Sequence, residues 1–528
     1  MKVLDREILR LAVPSILANI TVPLVGMVDI AVAGHLHSAE GTSAAFIGGI
    51  SVGALILSVI YWNFAFLRAS TGGLTAQAYG RMRVGGAGEH PSAILGRALA
   101  LSLGFAALLL VLQWPLSRLA LVFNDSTPRV AELAIRYFFV RIWAAPATLS
   151  LMSLKGWFIG MQDTLSSMFT DLVVNVVNIA ASIVLTLGAF GWQGIGFDGI
   201  ALGTVIAQYS GLAFAAAICL LKYRLAAQHP AGTPDEGRLL ANASFREFEK
   251  GSGSSDVGTP GEERPLANAS FQEPEREARY CEAEASTKSD LWRTPISGSS
   301  SEAPAEAAES LQAGYRAFFR LNADLFVRSL CFTGVYLGYT YLAARQGETL
   351  LACANIMMNL LMLFSYFTDG FAYAGEALVG RFIGERNPAM TRRSTGAVFA
   401  WSMGVAGIWM FIYWLGGAPM MQLMTDDASV RDACLQFLPW LIAMPPLGCA
   451  AFTWDGIFVG ATASRGMRDA MILSLAAFGA VWFAGKALLP SASAGIPAIH
   501  LLMAAYFAHI IARALYLTAR YRKDIAEK

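Results

Sequence analysis

Twelve long apolar runs constrain this chain more than any other feature. A helix needs roughly 20 mainly apolar residues to cross a bilayer. Six such runs, at 11–34, 43–67, 92–114, 130–159, 168–190 and 199–221, precede a polar segment. Six more, at 321–344, 350–374, 395–416, 430–459, 470–489 and 496–516, follow it. They are too long and too continuous for the short alternating segments of a transmembrane barrel. The expected fold is an all-α polytopic membrane protein of twelve helices in two six-helix lobes. Only 15% of the 528 residues are charged, against about 25% in soluble domains. That deficit argues against a cytosolic enzyme.

The net charge of +1 is a cancellation. Residues 225–314 hold 16 acidic and 8 basic side chains, while the rest of the chain is net positive. This segment is rich in Ser, Glu, Pro, Gly and Ala and is expected to be a mostly disordered cytoplasmic insert. It separates an N-terminal lobe, 1–224, from a C-terminal lobe, 315–528. A short duplication, Leu-Ala-Asn-Ala-Ser-Phe at 240–245 and 266–271, creates Asn-x-Ser sequons at Asn242 and Asn268. A cytoplasmic loop leaves them unglycosylated. Lys and Arg gather on one side of the spans: Lys2, Arg6 and Arg10, then Arg81 and Arg83, Lys222 and Arg224, Arg381, Arg386, Arg392 and Arg393, Arg465 and Arg468, and the C-terminal Arg520, Arg522 and Lys523. The opposite loops hold little beyond Arg118, Arg129 and Arg345. The positive-inside rule then places both termini in the cytoplasm, in a cell (inner) membrane. No cleaved signal peptide is evident, since the first run contains Pro14, Pro23 and Asp29.

The halves repeat each other. Pro146, Gly156, Phe158 and Gly160 recur 300 positions later as Pro446, Gly456, Phe458 and Gly460. Residues 75–80, Thr-Ala-Gln-Ala-Tyr-Gly, resemble 379–384, Val-Gly-Arg-Phe-Ile-Gly. A parallel repeat about a pseudo-two-fold along the membrane normal is a plan of secondary transporters, with a cavity between the halves.

Polar groups inside membrane helices are costly, so each is a candidate for function. Asp29 lies well inside the first run with no basic residue within a helical turn of it. It suits carrying a proton or binding a small cation; the alternative is a structural carboxylate at a kinked backbone. In the fifth run, Asp171, Asn175, Asn178 and Ser182 follow helical spacing among Leu, Val, Ile and Ala, so they share one face. Their amide and hydroxyl oxygens fit cation coordination or hydrogen bonding to a carboxylate, or interhelical packing bonds. The matching second-half positions, Leu475 and Phe478, are apolar, so this site belongs to the first half.

A second stripe runs along the eighth span. Asn355, Asn359, Tyr366, Asp369, Tyr373 and Glu376 fall on one face, with Met362 between them. Aromatics, methionine and carboxylates suit a cavity for lipophilic cations, and Asp455, after the Pro445-Pro446 kink, fits the same cavity. Equally open is pairing of Asp369 and Asp455 with Arg68 or Lys155. Lys155 occupies the repeat position of Asp455, so a central Lys155–Asp455 pair is one of these alternatives. Asp324 and Arg328, four apart, read as a local ion pair. The six cysteines lack metal or redox spacing. His500 and His509 share a face but are nine apart. No Walker sequence, nucleophile–base arrangement or cofactor motif is present, which points away from an ATP-driven pump and from an enzyme. No cofactor and no nucleic-acid partner are expected.

Four segments carry a family resemblance: 14–29 (Pro-Ser-Ile-Leu-Ala-Asn-Ile-Thr-Val-Pro-Leu-Val-Gly-Met-Val-Asp), 68–80 (Arg-Ala-Ser-Thr-Gly-Gly-Leu-Thr-Ala-Gln-Ala-Tyr-Gly), 369–377 (Asp-Gly-Phe-Ala-Tyr-Ala-Gly-Glu-Ala) and 455–462 (Asp-Gly-Ile-Phe-Val-Gly-Ala-Thr). Together they resemble the MATE (multidrug and toxic compound extrusion) family in its DinF-like branch, over nearly all the chain but the insert. The resemblance implies a V-shaped pair of lobes and export of organic cations or amphipathic compounds by alternating access, in exchange for inward H+ or Na+. It ties Asp29 to ion coupling and adds Asn175, Asn178 and Thr204 to the same site. Many relatives carry an aspartate where this chain has Ser182. That leaves Asp29 as the main coupling carboxylate and favours H+ over Na+. The alternative function is a flippase for a lipid-linked precursor. A flippase needs a strongly basic cavity, whereas the sequence suggests membrane-buried charges that are mainly acidic.

Overall fold

A computed structural model describes residues 2–36, 42–86, 88–122, 127–189, 191–228, 304–425, 427–488 and 495–527. The first half contains α1 (Lys2–Gly34), α2 (Ser43–Asn63), α3 (Phe66–Arg83), α4 (Pro91–Val111), α5 (Gln113–Val122), α6 (Pro128–Arg141), α7 (Ala145–Gly160), α8 (Thr164–Leu187) and α9 (Asp198–Gln228). The second contains α10 (Pro304–Ala344), α11 (Glu348–Gly384), α12 (Pro388–Met424), α13 (Ala428–Gln436), α14 (Leu438–Gly460), α15 (Ser464–Leu488) and α16 (Gly495–Tyr521). No strand occurs among the described residues.

Two pairs act as single spans: α2 with α3, and α6 with α7. With these counted once, eleven spans among the described residues are long and apolar enough to cross a membrane. The twelfth long helix is α10, whose apolar part opens on Arg320, Asp324 and Arg328. Side chains on the outer faces are apolar and exposed, among them Val111, Val176, Phe411, Leu415 and Phe483. In a membrane that surface meets lipid.

Residues 2–215 and 304–527 form one compact unit; a second, Ala216–Ser301, is described only in the end of α9. The sequons Asn242 and Asn268, both copies of the duplication and Cys281 lie outside the described residues. Both ends of the 225–314 segment are helical, because α9 runs to Gln228 and α10 begins at Pro304. Proline followed by Ala and Glu, strong helix formers, favours that early start.

The repeat is visible in backbone conformation. Gln162 (φ 60°) and Thr462 (φ 51°) are both left-handed without being glycine. Each ends a helix with the same bond: Asp163 N–H to Phe158 C=O at 2.8 Å, and Ala463 N–H to Phe458 C=O at 3.0 Å. The close crossings repeat as well. A Cβ on Gly156 would sit 2.2 Å from the Arg68 carbonyl oxygen, and one on Gly456 would sit 2.0 Å from that of Ala372. So α7 presses on α3 as α14 presses on α11.

The halves meet at one end. Arg381, fully buried on α11, donates to Gln162 Oε1 (2.9 Å) and Glu7 Oε2 (3.1 Å). Gln77 Nε2 donates to Gly460 C=O (2.9 Å) and Thr462 Oγ1 (3.1 Å). Trp401 Nε1 reaches Asp5 Oδ1 at 3.1 Å. The helix ends that carry the Lys and Arg clusters are thereby joined.

Candidate functional site

Asp29 is buried at 4% exposure, although its neighbours Met27 and Ile30 are exposed at 65% and 43%. It is buried with Val32 and Ala33 in the C-terminal part of α1, which these side chains help fix into the first half. Its Oδ1 has no hydrogen-bond partner among the described residues. The groups that act on its carboxylate are the Arg141 guanidinium and the Ser182 hydroxyl.

Arg141, the last residue of α6, is the member that sequence spacing missed. It lies more than a hundred positions from Asp29, so no helical-turn argument connects them. The available signal was an arginine followed by an apolar stretch from 142 to 154 in the same span. Its Nη1 donates to the Tyr137 hydroxyl one turn earlier, and Asp29 and Tyr61 add to its surroundings.

The α8 stripe splits between two partners. Asn175 Nδ2 donates to Thr21 Oγ1 on α1 at 2.5 Å. Asn178 Nδ2 donates to Thr204 Oγ1 on α9 at 2.9 Å, and the Asn178 Oδ1 is buried without a partner among the described residues. Ser182 and Thr204 hydroxyls both donate to the Ile200 carbonyl, at 3.5 and 3.3 Å. The α8–α9 approach depends on Gly203, where a Cβ would meet the Ser182 backbone N at 2.7 Å. Asp29, Asn178, Ser182 and Thr204 thus belong to one buried network. Asp171 stands apart, paired with Lys155 of α7.

On α11 the second stripe is the accessible face of an otherwise largely buried helix. Asn355 and Asn359 are exposed, Met362, Tyr366, Asp369 and Tyr373 are partly exposed, and Glu376 is buried. The gradient describes a cleft open at the Asn355 end and closed at the Glu376 end, where the halves join. At its floor, Arg68 Nη1 of α3 binds Glu376 Oε2 at 3.0 Å and its guanidinium stacks 4.4 Å from the Tyr373 ring centroid.

Three sequence expectations need correction. Lys155 pairs with Asp171, not Asp455, because the repeat places 155 and 455 at matching points of different halves, each with a nearer partner. Asp455 is bridged by Arg328 (2.8 Å) and Arg513 (3.1 Å). Asp324 and Arg328 do not pair with each other. Asp324 takes Arg468 Nη1 (2.7 Å) and the Ser464 hydroxyl (2.8 Å) from α15, because the two side chains turn towards different helices. Nor are the charges within the spans mainly acidic. Asp171, Asp369, Glu376 and Asp455 are matched by Arg68, Lys155, Arg328 and Arg513. Asp369 alone among these has no hydrogen bond or ion pair among the described residues; the charges of Arg68, Asp455, Arg513 and Arg328 act on it.

Elsewhere the polar groups are structural. His500 Nδ1 takes the Trp440 Nε1–H at 3.0 Å, and His509 Nδ1 lies 3.0 Å from the Tyr506 carbonyl oxygen. No group of three or more His, Cys, Asp or Glu side chains is arranged to hold a metal ion among the described residues.

The MatE family model matches residues 14–184 and 325–484, one block per half. The Escherichia coli "DNA damage-inducible protein F" is 30% identical over 481 residues, covering 90% of this chain and 84% of its own. The "Multidrug resistance protein MdtK" of Edwardsiella ictaluri is 26% identical over 202 residues, 38% of this chain and 41% of its own. A solved structure titled "Crystal structure of MATE in the bent conformation" superposes with a TM-score of 0.71 at 14% identity, covering 99% of this chain and 96% of its own. The twelve-helix, two-lobed fold is therefore that of the MATE transporters, and this chain belongs to the MATE family of membrane transporters, whose members are not enzymes.

Proposed function

We propose that this transporter exports amphipathic organic compounds, cations among them, in exchange for inward protons, with Asp29 as the proton carrier. Multidrug resistance proteins among its relatives support the substrate reading. The observation that carries the coupling is the burial of Asp29 in the first half, within electrostatic reach of the Arg141 guanidinium. Charged Asp29 is attracted to a guanidinium anchored on α6. A proton removes that attraction, so the outer part of α1 is freed to repack. Asn175, Asn178, Ser182 and Thr204 align the carboxylate and link α1 and α9 to α8. A second cation would sit beside Arg141 with a single carboxylate to neutralise it, which disfavours Na+.

Substrate then occupies the cleft along Asn355, Asn359, Tyr366, Asp369, Tyr373 and Glu376, with Asp455 held behind it. The positive ends of the helices define the cytoplasmic side, so both termini lie in the cytoplasm, the protein sits in the inner membrane, and the cleft opens outward. Alternating access requires opening of the end closed by Arg381, Gln77 and Trp401. Residues 225–314 act as a cytoplasmic linker between lobes 1–224 and 315–528. A lipid-linked flippase is disfavoured because every basic group in the cleft has a matching carboxylate, which leaves no excess positive field for phosphates.

The test is efflux from proteoliposomes under separately imposed gradients. An inward proton gradient is expected to drive export and a Na+ gradient alone is not. Export driven equally by Na+ at constant pH contradicts proton coupling.

A further inference from the structure

We propose that α10 and α15 together bind an anionic phospholipid, with the lipid phosphate between Arg320 and Arg465 and its acyl chains along the two helices. The inference is independent of what the transporter exports.

Several arginines at the basic helix ends are already engaged by the protein. Arg83 pairs with Glu385 (3.4 Å), Arg520 pairs with Asp524 (3.1 Å), and Arg392 donates to the Ala526 carbonyl (3.1 Å). Arg468 of α15 binds Asp324 of α10 and its own neighbour Asp469, both at 2.7 Å. Arg316 and Arg320 of α10 and Arg465 of α15 differ. All three are exposed and make no hydrogen bond or ion pair among the described residues. At this corner four arginines face two carboxylates, Asp324 and Asp469, so positive charge is in excess.

One carboxylate sets the relative height of the two helices. Asp324 accepts from the Ser464 hydroxyl at 2.8 Å and from Arg468. Arg465 follows Ser464, and Arg320 lies one turn before Asp324. Arg320 and Arg465 are therefore offset by about one helical turn on neighbouring helices. A guanidinium fork binds phosphate oxygens in bidentate fashion, so the two can bracket one phosphodiester, with Arg316 a further turn along.

The same faces continue into apolar surface. Arg316, Phe319, Arg320, Phe326 and Leu330 fall on one side of α10, and Phe319, Phe326 and Leu330 are exposed. On α15 the face that begins at Arg465 continues through Ile472 to Phe483, both exposed. A soluble anion has no use for these faces. A phospholipid fits them, because its phosphate meets the arginines at headgroup depth while its chains cover the apolar residues.

The repeat supplies an internal comparison. In the first half α8 packs on α1 as α15 packs on α10. There α1 carries exposed Arg6 and Arg10 one turn apart, but the exposed Leu165 of α8 stands at the repeat position of Arg465. The first half thus lacks the second arm of the clamp.

The test titrates lipid into the purified full-length protein in detergent and counts bound lipid by native mass spectrometry. Dioleoylphosphatidylglycerol is expected to bind its first site about tenfold tighter than dioleoylphosphatidylcholine. Arg320→Gln with Arg465→Gln is expected to bring that ratio to about two. Arg320→Gln alone is expected to bring it to about four, which keeps a reading if the double variant does not fold. Arg6→Gln with Arg10→Gln removes the same charge from the first half and is expected to leave the ratio near that of the parent. No preference in the parent, a ratio unmoved by the Arg320 variants, or an equal loss in the Arg6 and Arg10 double variant overturns the proposal. Displacement of bound lipid by inorganic phosphate at the same concentration also overturns it, because the site is then one for a free anion.

Discussion

Arg68 of the first half holds Glu376 of the second at 3.0 Å, with the carboxylate fully buried. The bond closes the floor of the cleft and joins helices 308 positions apart. Breaking one side of such a pair leaves a buried charge uncompensated, at a cost of about 3–5 kcal/mol. Glu376→Gln is therefore expected to lower the thermal unfolding midpoint of the detergent-solubilised protein clearly. The double change Arg68→Met with Glu376→Met is expected to recover most of the loss. A single variant as stable as the parent contradicts the buried pair.

The repeated glycine crossings make a paired prediction. Gly156→Ala and Gly456→Ala each push a methyl group into a backbone carbonyl about 2 Å away, and overpacking of this kind costs about 1–3 kcal/mol. Gly104→Ala and Gly404→Ala meet nothing within 4 Å and are expected to be neutral or slightly stabilising. Yield in membranes and the unfolding midpoint together separate the two sets. Equal behaviour of all four variants shows that the crossings are looser than described.

Cys353 of α11 and Cys434 of α13 are buried with their sulfur atoms 3.1 Å apart. Mild oxidation of the folded protein is expected to join them, detected as a single cross-linked peptide pair by mass spectrometry. The pair is absent in Cys434→Ser. Failure to cross-link under conditions that oxidise control cysteines shows that α13 does not pack on α11 in this register.

Arg141 and Ser182 set what Asp29 can do. Arg141→Gln removes the attraction that protonation is proposed to relieve, and proton-driven efflux is expected to fall at least about tenfold, or about 1.4 kcal/mol of coupling. Ser182→Asp gives the network a second carboxylate. Stimulation of efflux by a Na+ gradient, not expected in the parent, is expected to appear in this variant. Parent-like behaviour of both variants contradicts a network centred on Asp29.

Much of this was legible in the sequence. The length and continuity of the apolar runs led directly to the spans, and the 300-residue offset led to crossings that the backbone repeats down to the turns at Gln162 and Thr462. The α11 stripe was legible because a 3.6-residue period is local. Ion-pair partners were not, since they are chosen between helices. Asp324 turned to Arg468 rather than Arg328 and Lys155 to Asp171 rather than Asp455, and the charge that acts on Asp29 comes from Arg141 on a distant span. Counting carboxylates along α11 also misjudged the cleft, because its arginines arrive from α3, α10 and α16.

The most direct test of the central claim is proton movement coupled to export in Asp29→Asn. Proteoliposomes containing an internal pH dye and a fluorescent amphipathic cation report both fluxes at once. The parent is expected to move protons against substrate. The variant, whose amide cannot take up a proton, is expected to retain substrate binding while losing both fluxes. Parent-like efflux with proton counterflow in the variant would show that Asp29 is not the coupling group.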